Sequence, residues 1–365
     1  MCMTSLAARF FELRPLIDQQ TQEDLSALLV QIGSGEASSD FLDSAFGAIR
    51  SGKRFRALLA HFGAALVSGK ELGQAPVAHL GAALELYQAS ALAHDDVIDH
   101  ADTRRGAPTP HIRLATIHRE RQWLGSDERF GAAAAILLGD LLFSAAERSI
   151  GLQCESLEPK IASRLLARYT TMHAEVALGQ YLDVRAEHLP LDLHNPDAIP
   201  LREVREVVIR KSAHYSIVHP ALLGAIAAGG SEELVQALEE ALTPWGIAFQ
   251  LRDDDLGVFG DPEVTGKPAG DDLREGKRTM LLSLSWKNAS VAEREILAGV
   301  LGDEKASPDS IARATEVIAT RGRDVHEALI ASLVDEGEAQ LEDRFSEAER
   351  ADLLELAQII TARRA

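Results

Sequence analysis

The residues best suited to chemistry lie in His94-Asp95-Asp96-Val97-Ile98-Asp99, where three carboxylates fall within five positions. On a helix turning ~100° per residue, Asp95 and Asp99 lie nearly in line, with Asp96 beside them. Carboxylates held this close repel one another and raise one another's pKa, and a hard, oxygen-preferring cation relieves that repulsion. Magnesium suits the pattern because it combines one or two carboxylates with waters and phosphate oxygens. Taken alone, so short an acidic run could equally be a solvated helix end.

A second acidic run, Phe249-Gln250-Leu251-Arg252-Asp253-Asp254-Asp255-Leu256-Gly257, closes an apolar window that begins near Ser231. Val235, Leu238, Leu242 and Ile247 predict a buried helix, bent at Pro244, that delivers Asp253 and Asp254 from the interior. Buried carboxylates need partners. Basic residues occur in short sets: Gly52-Lys53-Arg54-Phe55-Arg56, Arg104-Arg105, Arg210-Lys211-Ser212, Lys267 within Thr265-Gly266-Lys267-Pro268, and Lys277-Arg278. Each set alone could neutralise neighbouring acid. Together with the aspartates they match diphosphate binding, arginine offering a planar fork and lysine a flexible point charge. No GxxxxGK[ST] sequence occurs, which disfavours a P-loop nucleotide enzyme.

The elements that must position these groups read as helices. Aromatic residues are only 5% of the chain, and the windows 16 to 75, 111 to 158, 160 to 189 and 269 to 307 lack proline. Within them apolar residues recur at three and four, as in Leu165, Leu166, Tyr169, Met172 and Val176. Helix ends are expected at Gly52, Gly106 to Pro110, Ser156 to Pro159, Pro190 to Pro200, Gly229-Gly230 and the loop Gly260 to Gly270, and Ser307-Pro308-Asp309 reads as a helix start. No alternating strand run and no short internal repeat stands out, so the expectation is an all-α chain of roughly a dozen helices.

Composition narrows the partners. The hydrophobic fraction of 46% with 25% charged residues over 365 positions is globular, and the net charge of −19 opposes nucleic acid or an anionic membrane surface as the main partner. Two cysteines, Cys2 and Cys154, are too few for a disulfide framework, and a reducing, cytoplasmic setting is the default. The N-terminus lacks a signal-peptide pattern, and no run of ~18 consecutive apolar residues occurs, so neither export nor membrane insertion is expected.

GKRFR at 52 to 56, DDVID with DTRRG from 95 to 106, GQYLD at 179 to 183, KS at 211 to 212, FQLRDD at 249 to 254 and TGKPAGDDLREGKRT at 265 to 279 stand in one order. In that order they resemble the trans-type isoprenyl (polyprenyl) diphosphate synthases, and most of all a geranylgeranyl diphosphate synthase. The resemblance implies a single helical domain over 1–365, with a motif-bearing core at about 40–290, C-terminal helices at 291–365 and a deep central cavity. It implies a homodimer in isoprenoid biosynthesis, joining isopentenyl diphosphate to an allylic diphosphate with magnesium, three ions when substrate is bound. Asp95, Asp96, Asp99 and Asp253 would hold the metal, and Asp254 would support the second cluster. Lys53, Arg56, Gln88 and Arg105 would take isopentenyl diphosphate. Arg104, Lys211, Ser212, Gln250 and Lys267 would take the allylic partner, with Lys277 closing the site.

The chain departs from the family pattern at Gly257, the fifth position of the second motif, where many relatives carry aspartate. Asp253 is therefore expected to carry more of that ion, with Asp255 or Asp261 as substitutes. Gln88 stands where many bacterial relatives have histidine and Ser212 where threonine is usual, and both keep hydrogen-bonding ability. Ser90 and Ala91, about one turn before Asp95, are small, and by resemblance this favours a C20 product over farnesyl. Alternatively Tyr87 or Phe143 floors the tail cavity, and a farnesyl or longer-chain synthase is the other reading. A class I terpene cyclase would need a different second metal motif. An HD-type metal phosphohydrolase, suggested by His94-Asp95 with His61, His79 and His118, leaves Lys53, Arg56, Arg104 and Arg105 unexplained. A non-catalytic modulatory subunit is opposed by the intact first motif.

Overall fold

The proline-free windows become helices, and the breaks expected at Gly52, Gly106 to Pro110, Ser156 to Pro159, Pro190 to Pro200 and Gly229-Gly230 fall between them, while 261–269 of the loop expected at Gly260 to Gly270 lie outside the described residues. A computed structural model describes residues 5–33, 35–260, 270–303 and 305–361. In chain order the helices are α1 (Leu6–Ile32), α2 (Ser39–Ile49), α3 (Phe55–Ser68), α4 (Ala78–Ile98), α5 (Pro110–Glu120), α6 (Asp127–Glu155), α7 (Pro159–Glu187) and α8 (Leu201–Val207). The last runs into a π-helix (Val208–Val218) and on into α9 (His219–Ala227). There follow α10 (Glu232–Phe259), α11 (Asp271–Glu275), α12 (Met280–Asn288), α13 (Val291–Ala298), α14 (Pro308–Arg321), α15 (Arg323–Ala339) and α16 (Glu347–Thr361). The strands among the described residues are β1 (Thr103–Arg104) and β2 (Ala107–Pro108), an antiparallel pair. The all-α expectation holds.

Two compact units form. One comprises Met1–Arg168 with Pro220–Ser231, and the other Tyr169–His219 with Glu232–Ala365. In the first, α4 packs on α1, α3 and α6, and is buried on nearly every side from Leu80 to Ala93. A helix apolar all round belongs in a core, and its polar last turn is therefore the exception that needs explaining. Helix α6 is long and apolar enough to cross a membrane by length and composition, with 44% of its most apolar window buried. It packs against α4 and α5 through Gly131, Ala135, Leu138 and Leu142, and leaves Ile136, Leu137 and Phe143 on its outer face.

In the second unit α10 packs on the π-helix, α15 and α16, and runs through Pro244 as one helix. Two fully buried tryptophans find acceptors for their indole N–H groups: Trp245 donates to Val334 O at 3.2 Å and Trp286 to Asn195 O at 3.0 Å. That pairing lets large rings fill the core without a desolvated donor. The start expected at Ser307-Pro308 is found, Ser307 accepting from Ser310 N and Pro308 opening α14.

Within the first unit α3 and α9 touch backbone to backbone. A Cβ on Gly224 would lie 1.8 Å from Ala60 O, and one on Gly63 1.9 Å from Ala221 O. Gly224→Ala is therefore expected to force the helices apart and to destabilise the chain by about 3 kcal/mol, read as a lowered midpoint in denaturant unfolding; an unchanged midpoint would refute this contact.

Candidate active site

The first acidic cluster sits at the C-terminal end of α4, where Asp99 caps the helix and its N–H bonds to Asp95 O at 2.8 Å. The helix dipole is negative at this end, and the last turn carries no base. Three carboxylates are thus gathered where the backbone already disfavours negative charge. Asp96 is only 2% exposed, and burial raises its pKa, with Arg104 opposing and Asp95 adding to the rise. Arg104 Nε donates to Asp96 Oδ1 at 2.5 Å and Arg104 Nη2 reaches Asp95 Oδ2 at 3.4 Å.

The β1–β2 ribbon brings that arginine in. Its turn residues, Arg105 and Gly106, have φ of 54° and 76°, the positive values of a tight hairpin turn. Arg105 donates from Nη1 to Ser51 O at 2.5 Å, next to the Gly52-Lys53-Arg54 entry into α3. Burial lowers the Arg105 pKa, as do Arg104, Arg54 and Arg56 around it. An anion-seeking cluster is therefore concentrated beside the start of a helix, whose positive dipole end favours the same ligands. Arg54 has a different task. It is buried, with φ of 56°, and bonds to Asp18, Glu85 and Ile49 O, which locks the turn and leaves Lys53 exposed and Arg56 half-buried. Gln88 and Ala91 are half-buried and Ser90 buried on α4, while Tyr87 meets Phe143 edge to face with centroids 5.9 Å apart.

In the second unit, Lys211 on the π-helix donates to Asp183 Oδ2 at 2.6 Å, which ties the KS pair to the end of the GQYLD segment on α7. Gly179 makes the approach possible, since a Cβ there would lie 2.6 Å from Lys211 N. Ser212 follows, half-buried. On α10, Asp253 is exposed and Asp254 buried. Gln250 Nε2 donates to Asp254 Oδ1 at 2.8 Å, yet burial lifts the Asp254 pKa well above the usual range, with Asp272 and Asp253 adding to it. Lys277 pairs with Asp272 and Glu275. Lys267 and Asp261 lie outside the described residues.

Gly257 acquires a structural account. A Cβ there would lie 1.9 Å from Asp272 Oδ2 and 2.6 Å from its Cγ, so the Asp272 carboxylate occupies the space a side chain at 257 would need. Asp255 is turned elsewhere, paired with Arg323 at 3.2 Å. Sequence reading named Asp255 and Asp261 and passed over Asp272, although the residue stands in the quoted run GDDLREGK. The histidines beside the first motif do not gather. His94 Nε2 faces Ile136 O at 3.1 Å, His79 pairs with Asp24, His118 faces Leu124 O, and burial lowers the pKa of His61 to about 4.

The donor set around Asp95 and Asp96 is all oxygen, and the buried Asp96 charge is only partly balanced by Arg104, so a hard divalent cation fits it. The polyprenyl synthetase family profile matches residues 40–318. A geranylfarnesyl diphosphate synthase of Aeropyrum pernix is 33% identical over 272 residues, covering 74% of this chain and 76% of that one. A geranylgeranyl diphosphate synthase of Mycobacterium tuberculosis is 32% identical over 281 residues, covering 77% and 71%. The crystal structure of a Corynebacterium glutamicum geranylgeranyl pyrophosphate synthase, complexed with isoprenyl diphosphate and magnesium, superposes with a TM-score of 0.85 at 37% identity, covering 96% and 98%. With its motifs in order, its all-α fold and a profile match over most of its length, the chain belongs to the polyprenyl synthetase family.

Proposed function

We propose that this chain, a trans-prenyltransferase by family, condenses isopentenyl diphosphate with an allylic diphosphate and releases geranylgeranyl diphosphate, working as one catalytic domain. The observation that carries the reading is the pair Asp95 and Asp96 at the negative end of α4 with Arg104 across them. Such a pair binds a cation and an anion together, as a metal diphosphate requires. Magnesium, three ions with substrate present and held by Asp95, Asp96, Asp99 and Asp253, would neutralise the departing diphosphate.

The chain's own residues do the rest. Arg104, Lys211, Ser212, Gln250 and Lys267 grip the allylic diphosphate, so charge developing on the leaving oxygens meets fixed cations and donors. Lys53, Arg56, Gln88 and Arg105 hold isopentenyl diphosphate. The allylic C–O electron pair leaves with the diphosphate, the alkene π pair forms the new C–C bond, and a proton passes to the departed diphosphate. No side-chain nucleophile is required. Asp254 accepts from Gln250 and braces it beside the second acidic cluster. Asp272 takes the part of the missing fifth acid beside Asp253.

Small residues at Ser90 and Ala91 support growth to C20, with Tyr87 one turn earlier on α4 and Phe143 from α6 as the floor. Outward-facing Ile136 and Leu137 on α6 support a homodimer.

Product chromatography after incubation with magnesium, isopentenyl diphosphate and dimethylallyl, geranyl or farnesyl diphosphate should give the C20 alcohol after dephosphorylation. Ala91→Phe should shorten the product to C15 or less and Asp95→Ala should give none; wild-type alcohols no longer than C15 would refute the C20 assignment. Leu137→Asp should halve the mass seen by light scattering, and a wild-type monomer would refute the dimer. Gly257→Asp should cost about 1–3 kcal/mol by displacing Asp272, with recovery in Gly257→Asp/Asp272→Gly; strictly additive losses would show that the two sites do not share that space.

A further inference from the structure

Two histidine side chains that prenyl transfer does not use converge on one carboxylate oxygen, that of Glu175. Glu175 on α7 accepts at Oε2 from His214 Nδ1 at 2.9 Å and from His219 Nε2 at 3.0 Å. The two imidazole bonds, His214 first, hold the Glu175 carboxyl far below the usual range, so it is an anion. The π-helix creates the convergence. In an α-helix, residues five apart point about 140° away from each other. Here the bond from His219 N to His214 O closes the wider i→i+5 ring, and the two side chains come onto one side with ring centroids 5.5 Å apart.

We propose that Glu175, His214 and His219 form a binding site for a transition-metal ion of the zinc class, separate in ligand chemistry from the all-oxygen aspartate clusters. One ligand atom from each residue lies within 4.8 Å of the others. Neighbouring ligands of an ion bound at ~2.0–2.1 Å stand about 2.9–3.4 Å apart, which the two Glu175 distances already satisfy. The ion enters where two hydrogen bonds meet, and each imidazole ligates in its neutral form with its proton on the other ring nitrogen. Two nitrogens and one carboxylate favour a borderline ion such as Zn²⁺ over Mg²⁺, which retains oxygen ligands and water. His219 is 1% exposed, whereas Glu175 and His214 are 22% and 18% exposed, so the ion's remaining position is open on the Glu175–His214 side. Once bound, the ion pins both ends of the π turn to α7 and stiffens the segment that carries Lys211.

The proposal does not depend on the reaction, and neither does its test. The full-length protein is stripped with chelator, equilibrated with excess magnesium to occupy the aspartates, and titrated with Co²⁺. One Co²⁺ per chain is expected to bind with the visible absorption of a nitrogen-ligated ion of low coordination number, and Zn²⁺ should displace it. The signal should persist in Asp95→Ala/Asp253→Ala and vanish in His214→Ala and Glu175→Gln, with helicity followed by circular dichroism; His214→Gln replaces His214→Ala if the latter does not fold. No such absorption from the wild-type protein, or an equal signal from a folded His214 variant, would overturn the site.

Discussion

Negative charge at the wrong end of a helix is the constraint on which the active centre depends. The α4 C-terminus carries the negative pole of its dipole, and Asp95, Asp96 and Asp99 add their own charge to it. Asp96 is also desolvated. Each term opposes the folded arrangement unless positive charge arrives, and Arg104 is the only part of that charge that is covalently supplied at bonding distance among the described contacts of Asp95 and Asp96. The ribbon after α4 exists to return an arginine to the helix it has just left. The same electrostatic deficit gives a cation its reason to bind.

The second unit handles buried charge differently. Burial pushes the Asp254 pKa up, while Asp253 stays at the surface. Adjacent positions on one helix thus meet different surroundings, because they differ by about 100° around α10. Lys211 and Asp183 approach closely because Gly179 lets two helix backbones come together, which fixes a flexible lysine by packing as well as by charge.

The fold was legible because long proline-free windows with apolar residues at three and four leave little choice but helices, and local punctuation such as Ser307-Pro308 marks their starts. The acidic and basic motifs were legible because their residues are neighbours in sequence. What escaped was non-local or depended on hydrogen-bond register. Asp272 fills the space over Gly257 from fifteen positions further along, and nothing in the spacing announces that proximity. Arg54 looks like part of a basic set, yet its partners Asp18 and Glu85 come from distant segments, so its burial is invisible in GKRFR. The π-helix is invisible for a related reason: apolar periodicity reports which face is buried, not which carbonyl each N–H selects.

That π-helix also has a consequence for spacing. A π ring differs from an α ring by one residue, so the segment Val208–Val218 holds one more residue in each hydrogen-bonded ring than an α-helix would. Deleting one residue between Lys211 and His219 would leave composition and hydrophobicity almost untouched while rotating everything on one side of the cut by about 100°. Length, more than residue identity, then sets which side chains share a face here. In related chains a change of spacing within this stretch would be a more telling sign of altered behaviour than most single substitutions.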